Sequence, residues 1–127
     1  MARTGESTAA PGRVLVTGAA GGFGAPTLTR LRDRGARVVG LDVTGGTDSG
    51  VLACDITDQA AVDAAVAEAV EQLGGLDAVV HYAGIGTPND AGGPLEPDAM
   101  RVIDVNLLGA WRVTAAALPA LLAGRAE

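Results

Sequence analysis

Hydrophobic positions along this chain follow two rhythms that take turns. Short, β-branched, almost unbroken runs end in glycine or a polar residue: RVLVTG from Arg13, ARVVGLDV from Ala36, VLACD from Val51 and LDAVVHYAG from Leu76. Runs of this kind predict strands buried on both faces. Elsewhere the apolar residues recur every three or four positions, which predicts helices. Leu28 and Leu31 lie in a first helical stretch from Phe23 to Arg34 that stops at Gly35. Val62, Val66, Val70 and Leu73 share one face of a second, capped by Thr57 or Asp58 and ended by Gly74 and Gly75. A third runs from Pro97 to Ala123 with Leu108, Trp111, Ala115, Leu118 and Leu122 on one face, and Asn106 and Gly109 mark a bend or junction inside it.

Strands alternating with helices predict parallel pairing and right-handed crossovers. The expected fold class is therefore α/β, a doubly wound parallel sheet of order 3-2-1-4 with helices on both faces. The loop from Thr44 to Gly50 is too short to hold a full crossover helix. Residues 1–12, small, polar and turn-prone, read as a flexible tail before a single unit spanning 13–127. With 127 residues the unit is smaller than a complete doubly wound domain with a substrate pocket usually requires, so an incomplete domain is expected.

Charge and composition narrow the partners. A formal net charge of −6, with nine arginines and no lysine, offers no basic face for tracking phosphates, so no nucleic-acid partner is expected. The apolar stretches are broken by Gly, Arg or Pro before the roughly 20 residues that span a bilayer, so no membrane partner is expected either. The single cysteine, Cys54, lies among apolar residues and reads as a small core hydrophobe, which suits a reducing cytoplasm.

The chemistry concentrates in Thr17-Gly18-Ala19-Ala20-Gly21-Gly22-Phe23-Gly24, directly after a buried strand and at the opening of a helix. Gly18 allows the tight turn, Gly22 lets backbone approach a pyrophosphate, and Gly24 permits close packing of helix on strand, while the helix N-terminus offers free amides to negative charge. The next strand ends in Asp42, about 20 residues on, where a carboxylate accepts hydrogen bonds from both hydroxyls of an adenosine ribose. That charge repels a 2′-phosphate, and neither Ala20 nor Val43 supplies a compensating cation, so NAD(H) is expected over NADP(H). No metal site is expected.

With TGAAGGFG, the strand ending in Asp42, CDITD, HYAG and VNLLG in this order, the chain resembles the short-chain dehydrogenase/reductase family from about Arg13 to its end. The resemblance implies a Rossmann-type NAD(P)-binding domain. It also implies that Thr17, Gly18, Gly22, Phe23 and Gly24 line the pyrophosphate, that Asp55 and Ile56 flank the adenine, and that Ala83 and Gly84 pass the cofactor after the fourth strand. Asn106 matches the asparagine of the family's catalytic tetrad. Where the family usually has Asn-Asn-Ala-Gly this chain has His81-Tyr82-Ala83-Gly84, and His81 and Tyr82 are read as a structural pair at a strand end. His81 and the spacing of Gly18, Gly21 and Gly24 are similar to the family's extended branch of epimerases and dehydratases. MRVIDVNLLGAWRVTAAALPALL is similar to the shorter branch.

The family's Ser-Tyr-Lys set has no counterpart here. There is no lysine, the only tyrosine is Tyr82, and the only serines are Ser7 and Ser49. The expected function is thus the cofactor-binding half of an NAD-dependent oxidoreductase acting on a small alcohol or carbonyl substrate, truncated before its catalytic residues and inactive alone. Its expected partners are a complementary C-terminal half or further copies of itself. A non-catalytic NAD-binding module or sensor, and a degenerate product, stand as alternatives.

Overall fold

The computed structural model describes residues 12–45, 50–86 and 97–125. Ser7, Ser49 and the tail up to residue 11 lie outside the described residues. Gly12 is tied into the fold, since its carbonyl accepts the amide of Arg37 at 3.0 Å.

Four parallel strands, β1 (Arg13–Thr17), β2 (Arg37–Asp42), β3 (Val51–Ala53) and β4 (Ala78–His81), form one sheet in the order β3-β2-β1-β4. This is the order that the alternating rhythms predict. β3 pairs only at the far end of β2, Gly40 with Val51 through Asp42 with Ala53. Three paired residues demand a return of only about 10 Å, a span that the residues between Asp42 and Val51 can cover without a crossover helix.

Side-chain alternation assigns each strand residue to a layer. Leu15, Val39 and Leu41 face one core with Val62, Val66 and Leu73 of helix α2 (Gln59–Leu73). Val14, Val16 and Val38 face the other, with Leu28 of helix α1 (Gly24–Asp33). On β4 the same parity sends Val79 to the α2 layer and Val80 to the α1 layer. Away from the glycine turn, Arg13 and Asp77 fasten the starts of β1 and β4, with Nε–Oδ2 and Nη2–Oδ1 contacts of 3.0 Å each. These bonds hold the Asp77 carboxyl below the usual carboxylate range.

Helix α2 starts where Asp58, not Thr57, accepts the amides of Ala60 and Ala61 at 3.0 and 3.2 Å, and ends on Gly74 in the left-handed conformation. Asp58→Ala is expected to lower the unfolding free energy by about 0.5–2 kcal/mol in denaturant titration, the usual worth of an N-cap. Thr57 turns back instead to the carboxylate of Asp55.

The third helical stretch meets one expectation and departs from another. It divides into α3 (Pro97–Ile103), a π-helical stretch (Asp104–Gly109) and α4 (Ala110–Arg125), so the junction expected at Asn106 and Gly109 takes the form of wider π-helical turns. Packing supplies a reason, because a Cβ on Gly109 would collide with the side chain of Ile56. The face carrying Leu108, Trp111, Ala115, Leu118 and Leu122 does not meet the core. Val113 and Ala117 do, fully buried against α2, while Trp111 is 70% exposed. Small residues let α4 lie close to α2, and the large ones are left outside. By length and composition Asp98–Arg125 would also reach across a membrane; Val113 and Ala117 bind this run into the domain core.

Candidate functional site

The carboxyl ends of β1, β2 and β4 and the N-terminus of α1 surround one hollow of about 690 Å³. Open α/β sheets bind their ligands at this edge, where neighbouring crossovers leave on opposite faces. Of the residues singled out from the sequence, Gly18, Gly22, Phe23, Gly24, Asp42, Asp55, Ile56, Ala83 and Gly84 line it. Thr17 and Asn106 do not.

The turn after β1 is built from two contacts that only glycine permits. Gly18 has φ of +66°, and a Cβ there would press on the Tyr82–Ala83 peptide at 2.7 Å. A Cβ on Gly24 would fall on the Gly18 carbonyl, so helix and turn are in direct backbone contact. Gly22 differs, because a Cβ there would meet nothing within 4 Å. Among the described residues no packing requires glycine at 22, and the space above it is open to an approaching ligand. Phe23, the N-cap of α1, makes no side-chain cap; the Ala25 amide turns back to the Gly21 carbonyl at 3.1 Å, and the positive end of the helix faces the hollow.

Asp42 closes one end of the hollow. Its carboxylate accepts the Ala20 amide at 2.9 Å, the Thr44 amide at 3.1 Å and the Thr44 hydroxyl at 3.2 Å. Partial burial raises its pKa, but the bonds from Ala20, Thr44 and Val43 outweigh that and hold it below the ordinary value. The bond to Ala20 couples the carboxylate to the glycine turn itself.

Asp55 and Ile56 form the wall beyond β3. The Asp55 carboxylate accepts the amide and hydroxyl of Thr57 at 3.0 and 2.8 Å, which, with lesser help from Arg101 and Arg112, lowers its pKa. Ile56 is buried, and Arg112 fixes its carbonyl at 3.0 Å while pairing with Asp104 at 2.7 Å. Cys54, buried as expected of a core residue, has its thiol pKa raised by burial and then by Asp55 and Asp58.

Thr17 and Asn106 act from behind the wall. The hydroxyl of Thr17, 1% exposed, accepts the Ala83 amide at 3.2 Å. The Asn106 side chain spans the backbone of Ile85, accepting its amide at 2.8 Å and donating to its carbonyl at 3.0 Å. Thr17, expected on the pyrophosphate, lies outside the lining of the hollow, and its hydroxyl instead fixes the exit of β4 at Ala83. Asn106→Ala is expected to lower the unfolding free energy by about 1–2 kcal/mol and to speed hydrogen exchange at the Ile85 amide; an unchanged exchange rate would contradict this anchoring.

His81 and Tyr82 part company at the end of β4. His81 turns to the α4 side, its Nε2 lying 3.0 Å from the Thr114 hydroxyl, and burial lowers its pKa. Tyr82 turns to the α1 side and lines the hollow, as do Arg101 and Asp104. The strand parity already visible in the sequence separates His81 from Tyr82; nothing local in it brings Arg101 and Asp104 to the glycine turn. Among the described residues no group of three or more His, Cys, Asp or Glu side chains is placed to hold a metal ion.

Sheet order, glycine turn, uncapped helix and strand-end carboxylate define a Rossmann-type α/β fold. More narrowly, the chain belongs to the short-chain dehydrogenase family, whose model matches residues 12–126. It is 36% identical over 129 aligned residues to 1-deoxy-11-beta-hydroxypentalenate dehydrogenase of Streptomyces avermitilis, covering 88% of this chain and 47% of that protein. Among solved structures it is similar to 3-ketoacyl-(acyl-carrier-protein) reductase from Brucella melitensis complexed with NADH, at 34% identity and a TM-score of 0.74, covering 84% of this chain and 49% of that one. It is also similar to carveol dehydrogenase from Mycobacterium avium in complex with NAD, at 28% identity and a TM-score of 0.76, covering 89% and 52%. The chain thus spans about half the length of the curated relatives it matches.

Proposed function

We propose that this chain is the NAD(H)-binding half of a short-chain dehydrogenase, an oxidoreductase moving hydride between the cofactor and a small alcohol or carbonyl compound. The observation that carries the reading is the open cradle over Gly22 beside an uncapped helix, with an ionised Asp42 at its end. Neighbours holding NADH and NAD support a nicotinamide cofactor, and the Asp42 charge favours the form without a 2′-phosphate.

In this reading Gly22 and Phe23 present backbone amides to the pyrophosphate, Asp42 accepts the adenosine ribose hydroxyls, and Asp55 and Ile56 flank the adenine. Ala83 and Gly84, held by Thr17 and Asn106, pass the cofactor beyond β4. Bound NAD(H) supplies the hydride chemistry. The proton on the substrate oxygen must come from elsewhere, because the chain has no lysine and its one phenol, Tyr82, lies within hydrogen-bond distance of Thr27. A positioned proton donor contributes about 10²–10⁴ in rate, so the chain alone turns over negligibly and a Ser-Tyr-Lys half completes it. The exposed face of Trp111, Leu118 and Leu122 supports association with that half or with a second copy. The lone Cys54 supports a cytoplasmic setting.

Calorimetric titration with NADH and NADPH tests this reading. Saturable NADH binding tighter than NADPH is the expected outcome, and a folded chain that binds neither overturns it. Adding a C-terminal half with Ser, Tyr and Lys is expected to restore turnover.

A further inference from the structure

Tyr82 is engaged at both ends of its side chain in a way the cofactor reading does not use. Its ring stacks on that of Phe23, with centroids 6.0 Å apart and planes 27° from parallel. Its hydroxyl lies 3.2 Å from the hydroxyl of Thr27, one turn into α1. The Thr27 hydroxyl is 2.7 Å from the Phe23 carbonyl. Since that hydroxyl has one hydrogen and the carbonyl can only accept, Thr27 donates to Phe23 and the phenol of Tyr82 donates to Thr27. A continuous chain of contacts therefore runs from the end of β4, through phenol and hydroxyl, to the backbone carbonyl of Phe23 at the N-cap of α1, and returns through the stacked rings.

The other end of this strut is equally fixed. The Tyr82 amide donates to the Thr17 carbonyl at 3.1 Å, and the Tyr82–Ala83 peptide is the surface on which Gly18 lies. The segment held between them, residues 18–23, is the one whose backbone surrounds the open space at Gly22. Phe23 is 77% exposed, and among the described residues Tyr82 is its one ring partner.

We infer that Tyr82 is a positioning residue for the dinucleotide: through Phe23 and Thr27 it holds the first turn of α1 in the conformation that receives a pyrophosphate. The inference rests on the cofactor reading above and deepens it. Holding a loop in its bound shape raises affinity by removing the ordering cost that binding would otherwise meet. The effect falls on ligands carrying the pyrophosphate and spares those that lack it.

Titrations of the full chain with NADH, and with adenosine as a probe without phosphate, are made on the wild type, Tyr82→Phe, Thr27→Val and the double variant. Losing one hydrogen bond is expected to raise the NADH Kd about three- to tenfold in each single variant. Adenosine binding stays unchanged, and the double variant is no weaker than Thr27→Val, which already removes the contact to Tyr82 together with the one to Phe23. Tyr82→Ala, which also removes the stack, is expected to weaken NADH further. Thr27→Val keeps the tyrosine and so holds the test open if Tyr82→Ala fails to fold. An NADH Kd in Tyr82→Phe and Thr27→Val equal to that of the wild type overturns the inference, as does an equal loss for adenosine and NADH. Absence of NADH binding in the folded wild type would instead overturn the cofactor reading itself.

Discussion

Asp42→Ala is expected to weaken NADH binding roughly 10- to 100-fold, since hydrogen bonds to a charged group are each worth about 1.5–3 kcal/mol. Among the described residues Asp42 is the one carboxylate at the end of β2, and three bonds from Ala20 and Thr44 already fix its direction. NADPH affinity should stay level or rise, because removing the charge removes the repulsion of a 2′-phosphate. The ratio of the two dissociation constants, read by calorimetry, therefore collapses. Equal weakening of both nucleotides would point to a damaged turn in place of a lost ribose contact.

The same group dictates a direction with pH. The folded pKa of Asp42 lies below its ordinary value, so folding favours the ionised form. Its contribution is fully present above the unfolded carboxylate pKa of about 3.9 and is lost as pH falls through the lower folded value. NADH affinity is accordingly expected to be insensitive to Asp42 from neutrality down to about pH 5.

Gly22 and Gly24 are expected to fail in opposite ways. Gly24→Ala places a methyl on the Gly18 carbonyl, which neither backbone can yield to without separating helix from turn. Overpacking a well-packed site costs about 1–3 kcal/mol and occasionally more; a backbone collision with no flexible side chain to give way belongs at the upper end. Gly22→Ala places its methyl in open space at a residue whose φ is not positive. Stability should change by no more than about 0.5 kcal/mol, while NADH affinity drops about tenfold or more as the methyl occupies the ligand's place. Thermal melting beside titration separates the two. A Gly22→Ala protein that binds NADH normally would remove the pyrophosphate from this cradle.

Much of this molecule was legible in its residues. β-Branched runs ending at Thr17, Asp42 and His81 placed three strand ends side by side, because parallel strands buried on both faces read as unbroken apolar segments. The glycine spacing located the turn, since positive φ at Gly18 and backbone contact at Gly24 are conditions that few other residues meet. Strand parity alone separates His81 from Tyr82. All of these are local properties, set within a few residues of one another.

Other features were decided only by packing. The strongest apolar stripe of the third helical stretch lies outside, because the face of α4 that packs on α2 is the one carrying Val113 and Ala117, with Leu121 at its edge. Gly109 must clear Ile56, a residue far away in the chain, and the π-helical stretch lies at that crossing. Thr17 carries a hydroxyl suited to a phosphate, yet alternation along β1 turns it inward to Ala83. Asn106 reaches Ile85, and Arg101 and Asp104 join the wall of the hollow, only because the chain returns across the sheet. The sequence by itself determined strand order, the glycine turn and the carboxylate at the end of β2, where each residue's own geometry is the constraint. Tertiary structure decided which face of α4 is buried and which side chains hold the cradle in place, because those depend on distances between segments that no local pattern encodes.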